Sequence, residues 1–142
     1  MGGLKMVFVD SNIWCYYFDS SAEEHEQVSE FLEELIGSDE DIHINTVVLM
    51  EVGHFLVKNL GGIKGKKNLK KMMEFQFSIT DLTYDLTTDS LDILAEEHQT
   101  GIGGRDSTII ATMKEKSIDK LVTHDQSFKK VDGIEVKDPI TE

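Results

Sequence analysis

Met6-Val7-Phe8-Val9-Asp10 decides how this chain is read: four apolar residues in unbroken succession, closed by an acid. So short an apolar run, with no polar alternation, is the pattern of a strand covered on both faces in a parallel sheet. Outward from it, short strands and longer helices alternate. Ser21 and Glu24 stand at capping-box spacing before a helix with apolar positions Val28, Leu32, Leu35 and Ile36, stopped by Gly37. Ile42-His43-Ile44 reads as a second strand. Asn45 or Thr46 then caps a helix striped by Val48, Val52, Phe55, Leu56 and Leu60 and ended by Gly61-Gly62. The cluster Lys64, Lys66, Lys67, Lys70 and Lys71 follows.

Residues 77–82 supply a third strand, and Thr87 or Thr88 caps a helix with Leu91, Leu94, Ala95 and His98 on one side. Gly101-Ile102-Gly103-Gly104 is a loop, and a helix from Asp106 to about residue 116 buries Ile109, Ile110 and Met113. Leu121-Val122-Thr123 and Ile134-Glu135-Val136 are the last strands before Pro139. This alternation specifies a parallel α/β sheet with right-handed crossovers and helices on both faces. Residues 1–5 read as a leader, compatible with an addition ahead of Met6, and residues 6–142 as a single domain.

Size and composition agree: 142 residues and 16.0 kDa make one domain, and 39% apolar residues suffice for a core. No apolar run reaches the roughly 18–20 residues of a membrane span, and no signal peptide opens the chain. Cys15 is the single cysteine, so no intrachain disulfide forms and the reducing cytoplasm is the expected compartment. Fourteen basic residues against 27 acidic ones give a net charge of −13, so the overall field does not hold nucleic acid. Two routes to nucleic acid remain: locally concentrated lysines, and carboxylates that bind a divalent metal.

Ligands of open α/β sheets sit beyond the carboxyl ends of the strands, near the switch in strand order. Asp10 follows the first strand directly, Asp125 lies two residues beyond Thr123, and Asp106 opens a helix. Glu51, three after Val48 and four before Phe55, points towards the apolar face of its helix, where a glutamate needs a partner, a proton or a metal. Each acid also has a structural reading: Asp10 and Asp106 as helix caps, Asp125 as an Asx-turn residue. Four together are another matter, since each like-charged pair at about 4 Å costs about 4 kcal/mol at an effective dielectric near 20. Oxygen ligands at that density suit Mg²⁺ or Mn²⁺, one or two ions.

Asn12 and Thr123 are polar neighbours placed to hold a carboxylate or a water, although Asn12 equally suits a helix start. Lys64, Lys66 and Lys67 are candidate phosphate contacts or a solvated face, and Arg105 is a phosphate contact or a partner for an acid. Glu51-x-x-His54 has di-iron spacing but occurs once and on a mixed α/β frame, which excludes that site. Asn12 stands where a haloacid-dehalogenase-type phosphatase needs a second Asp, and the inward Glu51 does not suit a receiver domain.

In order along the chain come Asp10-Ser11-Asn12-Ile13, Thr46-Val47-Val48-Leu49-Met50-Glu51-Val52, Arg105-Asp106-Ser107-Thr108-Ile109-Ile110-Ala111-Thr112 and Leu121-Val122-Thr123-His124-Asp125-Gln126-Ser127-Phe128. Together they resemble a PIN domain, and at this length a VapC-type ribonuclease toxin. The resemblance implies a single PIN-like domain, with about five parallel strands flanked by helices, and Mg²⁺- or Mn²⁺-dependent endoribonuclease activity on RNA. The family's acidic quartet falls on Asp10, Glu51, Asp106 and Asp125, and its polar accessory positions on Asn12 and Thr123. It further implies a homodimer and a small cognate antitoxin. An RNA-processing or quality-control nuclease without an antitoxin, or an inactive RNA- or protein-binding module, is the alternative. Many relatives carry another acid two residues past the fourth, where this chain has Ser127.

Overall fold

A computed structural model describes residues 5–141; residues 1–4 of the expected leader lie outside the described residues. The chain runs β1 (Met6–Val9), α1 (Ser11–Phe18), α2 (His25–Ile36), β2 (Asp41–Asn45), α3 (Thr46–Met73), β3 (Ser78–Thr80), α4 (Tyr84–Glu96), α5 (Gly104–Lys116), β4 (Lys120–Val122), a 3-10 helix (Gln126–Lys130) and β5 (Glu135–Lys137). The five strands form one sheet in the order β3-β2-β1-β4-β5, every pair parallel. β1 lies in the middle with Val7, Phe8 and Val9 fully buried, as its unbroken apolar run requires. The chain moves outward from β1 to β3 on one side, then returns to lay β4 against the other. The order therefore switches between β1 and β4, and a crevice opens beyond their carboxyl ends.

Helix limits differ from the sequence expectation where local chemistry was ambiguous. Ser21 does not cap α2: its hydroxyl donates to Asp19 at 2.6 Å, and the helix begins at His25 without a side-chain cap. α4 is capped by Thr83, whose Oγ1 accepts from the Leu86 amide, so it starts earlier than Thr87 or Thr88 implied. Its inward residues are accordingly Leu86, Ser90 and Ile93, while Leu91, expected inside, is 57% exposed. Asn45 caps α3 through its Oδ1, and its amide reaches Thr108 and Thr112 on α5, tying the two helices.

α3 does not end at Gly61-Gly62. Gly61 adopts φ 85°, ψ 167°, which breaks the helix, and the chain then resumes helical structure over residues 62–73. The second half folds back on the first, because Gly65 lies against the Leu56–Val57 backbone and Gly53 against Leu69. A Cβ on Gly65 would stand 2.6 Å from Val57 Cα, so only glycine permits this approach. The lysine cluster consequently lies on this helical second half.

Candidate active site

Asp10 directly follows β1 and caps α1, and it is fully buried. Its Oδ1 accepts from the Ser11 amide at 2.6 Å, while Oδ2 accepts from Thr123 Oγ1 at 2.7 Å. Thr123, just past β4, in turn accepts from the Asp125 amide at 3.1 Å and from Asn12 Nδ2 at 3.3 Å. The His124 amide donates back to Asn12 Oδ1 at 3.3 Å. Asn12 and Thr123 thus stitch the start of α1 to the end of β4 across the switch crevice. Asp125 faces the same crevice with its Oδ1 accepting from the Ser127 amide at 2.9 Å, so the expected Asx turn exists alongside the site.

Asp106 is not the cap of α5 but its third residue. The helix begins at Gly104, and Asp106 Oδ2 accepts from the Gly103 amide at 3.2 Å. Its Oδ1 is buried without a hydrogen bond, since the Arg105 Nη2 that stands 2.9 Å away lies off the bonding line. Glu51, on the first half of α3, leans into the same space from the crevice rim, its side chain 32% exposed.

At the centre of these acids lies Arg105. Its Nε is 2.8 Å from Glu51 Oε2 and its Nη1 3.0 Å from Glu51 Oε1, a two-pronged contact. Nη1 also stands 3.3 Å from Asp10 Oδ1. Of the two sequence readings of Arg105, the structure therefore realises the partner for acids. Among the described residues, no three Asp, Glu, His or Cys side chains are set to hold a metal ion as they stand; the guanidinium is the cation they surround.

The electrostatics follow from crowding. Burial pushes the Asp106 carboxyl above its ordinary range, Arg105 opposes this, and Asp125 and Asp10 add to it by repulsion. Glu51 is likewise raised, first by burial, with Asp10 adding and Arg105 opposing. Burial disfavours the charge on Arg105, yet Asp10, Asp106 and Glu51 outweigh it and hold the guanidinium firmly protonated. Nearby Cys15 is pushed up to about 12 by burial, then by Glu51 and Asp10, so it is a neutral thiol.

An oxygen-only donor set with a buried, hydrogen-bond-free carboxylate oxygen at its centre fits a hard dication in chemistry. The lysines do not join it: Lys64, Lys67 and Lys71 line a cleft with Phe18 to Ser21, beside the far end of α1. That end lies about 12 Å along the eight-residue helix from Asp10. Sequence reading missed Asp138, whose carboxylate takes His124 Nδ1 at 2.9 Å and Gln126 Nε2 at 3.0 Å and so braces the loop that carries Asp125. No local signal distinguished it from the other acids.

A model of the PIN domain matches residues 7–134. In fold the chain is similar to VapC20 of Mycobacterium tuberculosis, a sarcin-ricin loop cleaving toxin, with TM-score 0.75 and 17% identity over 87% of this chain and 92% of that one. It is also similar to VapBC2 from Rickettsia felis, bound to a DNA fragment from its promoter, with TM-score 0.74 and 21% identity over 94% and 98% of the two chains. DNA-bound VapBC from Salmonella typhimurium gives TM-score 0.69 and 20% identity over 97% and 100%. No curated protein matches the chain.

Proposed function

Because the chain belongs to the PIN domain family, we propose that it is a metal-dependent endoribonuclease, the toxin of a toxin–antitoxin pair. One observation carries this reading: Asp10, Glu51 and Asp106, from three separate elements, converge on a single cation at the switch crevice of the sheet. In the proposed site Asp10, Asp106 and Asp125 would hold one or two ions, and Glu51 would ligate an ion or position the attacking water. Bound there, Mg²⁺ or Mn²⁺ supplies an activated water and neutralises charge at the phosphate. The water oxygen would bond to phosphorus as the bond to the 3′ oxygen breaks, with the water giving up a proton and the 3′ oxygen taking one from solvent, leaving a 5′-phosphate and a 3′-hydroxyl. Thr123 and Asn12 keep Asp10 and the Asp125 loop in register for this step.

The partner proposals extend the same reading. A cognate antitoxin is supported by the fold's likeness to the toxin half of VapBC complexes. Homodimerisation has an apolar cleft available between the halves of α3, about 610 Å³, where Met50 is 74% and Met73 56% exposed. No helix among the described residues is long and apolar enough to cross a membrane; a cytoplasmic location is part of the proposal. Of the candidate RNA contacts, Lys64 and Lys67 line the cleft beside the far end of α1 and would touch substrate beyond the cleavage point, and Lys66 is exposed on the same helical segment.

The test is cleavage of RNA by the purified chain with Mg²⁺ or Mn²⁺. Asp106→Asn removes a ligand charge at constant volume, so it is expected to lose activity by at least about 100-fold and stay folded. Full activity in that variant, or products ending in 2′,3′-cyclic phosphate, would overturn the assignment.

A further inference from the structure

Arg105 stands against the ordinary preferences of its helix. It is the second residue of α5, at the end where the helix dipole is positive and a cation is unfavourable. The same helix obeys the rule at its other end, where Lys114 and Lys116 occupy the last turn. What offsets the misplaced charge is the ring of carboxylates: Glu51 on Nε and Nη1, Asp10 also on Nη1, and Asp106 on Nη2. Nη1 hydrogen-bonds to Glu51 and Asp10, and Nε and Nη2 stand at ion-pair distance from Glu51 and Asp106, so the guanidinium is turned towards the protein's own acids.

As they stand, the acids close on the guanidinium and, among the described residues, are not drawn together as ligands of a small dication. The contacts run from 2.8 to 3.3 Å, whereas Mg²⁺ draws oxygens to about 2.0–2.1 Å. A dication drawn to the same oxygens would lie close to the guanidinium, and two cations that close repel strongly. An arginine cannot leave by losing its proton, so it can leave only by moving. It has room to move: its side chain is 33% exposed and that of Glu51 beside it 32%, while Asp10 and Asp106, at 0% and 11%, are held in place.

We propose that Arg105 is a built-in counter-cation that holds the acids together in the metal-free chain and is expelled when a dication binds. The metal must then compete with the chain's own guanidinium, which sets a threshold for loading the site. Expulsion also frees the guanidinium at the rim, where its donors can meet an RNA phosphate. The inference rests on the metal-dependent reading of the same acids, but its test does not pass through cleavage.

Titration of Mn²⁺ into the full chain, followed by calorimetry, compares the wild type with Arg105→Gln and Arg105→Lys. A neighbouring charge shifts a carboxylate's affinity for a proton by about 10- to 1,000-fold, so Arg105→Gln is expected to bind Mn²⁺ at least about tenfold more tightly. Arg105→Lys, which keeps the charge but loses the fork, should fall between. In metal-free buffer Arg105→Gln should melt lower than the wild type, and excess Mn²⁺ should narrow the gap. If that variant does not fold, the wild type still decides: the Arg105 Nε–H signal in nitrogen-15 spectra should shift to a solvent-exposed value as Mg²⁺ is added. Equal or weaker Mn²⁺ binding by Arg105→Gln, with wild-type binding intact, would overturn the proposal, as would an Nε–H signal indifferent to saturating Mg²⁺. No binding by either protein would remove the metal site and the counter-cation with it. Tighter binding by Arg105→Gln without RNA cleavage by any form would leave Arg105's role standing and refute the nuclease reading alone.

Discussion

Thr123→Val isolates the support beneath Asp10. The substitution is nearly isosteric and leaves every carboxylate in place, but it deletes the hydroxyl that donates to Asp10 Oδ2 at 2.7 Å. That oxygen belongs to a fully buried side chain, so water cannot replace the donor. The Asp125 amide, which gives its hydrogen to the same hydroxyl at 3.1 Å, loses its acceptor as well. A hydrogen bond to a charged group contributes about 1.5–3 kcal/mol and a stranded amide costs about 1–3 kcal/mol, partly relieved here because Asp125 is only half-buried. A net loss of about 2–4 kcal/mol follows, and for a chain of this size it lowers Tm by roughly 6–15 °C. Residues that orient metal ligands typically cost about 10- to 100-fold in metal affinity or activity when removed, and the same is expected here. Differential scanning fluorimetry with chelator, a Mn²⁺ titration and an RNA cleavage assay measure the three effects. Thr123→Ser retains the hydroxyl and should recover most of the lost affinity. A valine variant with unchanged Mn²⁺ affinity and a Tm within about 2 °C of wild type would show that Asp10 needs no such support.

The raised Asp106 carboxyl predicts a pH signature in metal-free protein. Its folded-state value lies above the ordinary 3.8, so the folded chain binds this proton more tightly than the unfolded one, and its contribution to stability falls as pH rises through the folded value. Asp106→Asn has no such proton to lose, and its Tm relative to wild type should rise from acidic to neutral pH in the presence of chelator. A difference that is flat or falls over that range refutes the assignment. Gly65→Ala tests the fold-back of α3: the new Cβ meets backbone at 2.6 to 2.8 Å. Overpacking of about 1–3 kcal/mol should outweigh the helix-propensity gain of about 1 kcal/mol. Faster amide exchange over residues 62–73 and a lower Tm are expected, and an alanine variant more stable than wild type would contradict the close approach.

The two roles weighed for each aspartate in the sequence turn out to be compatible, because a carboxylate has two oxygens. Asp10 uses Oδ1 to cap α1 and Oδ2 to meet Thr123, and Asp106 holds the Gly103 amide with Oδ2 while Oδ1 faces Arg105. Capping fixes the side-chain rotamer, and a fixed rotamer is what a ligand or catalytic carboxylate needs. A carboxylate that caps with one oxygen therefore keeps the other for the proposed site.

By itself the sequence determined the features that repeat over a few residues. Strand and helix periods placed β1, β2 and the buried stripe Val48, Val52 and Leu56, and the acid after Val9 marked an edge of the sheet. Those signals are local, since burial period and capping chemistry act between near neighbours. Where local signals competed, as with Thr83, Thr87 and Thr88 or at Gly61, the limits of the elements shifted. Tertiary structure alone decided that β4 lies beside β1, which brings Thr123 to Asp10 across 113 positions of chain. It alone decided that Arg105, adjacent in sequence to Asp106, also reaches Glu51 and Asp10. Neighbours of that kind are chosen by which apolar faces bury one another over the whole chain, and no short window of residues contains that information.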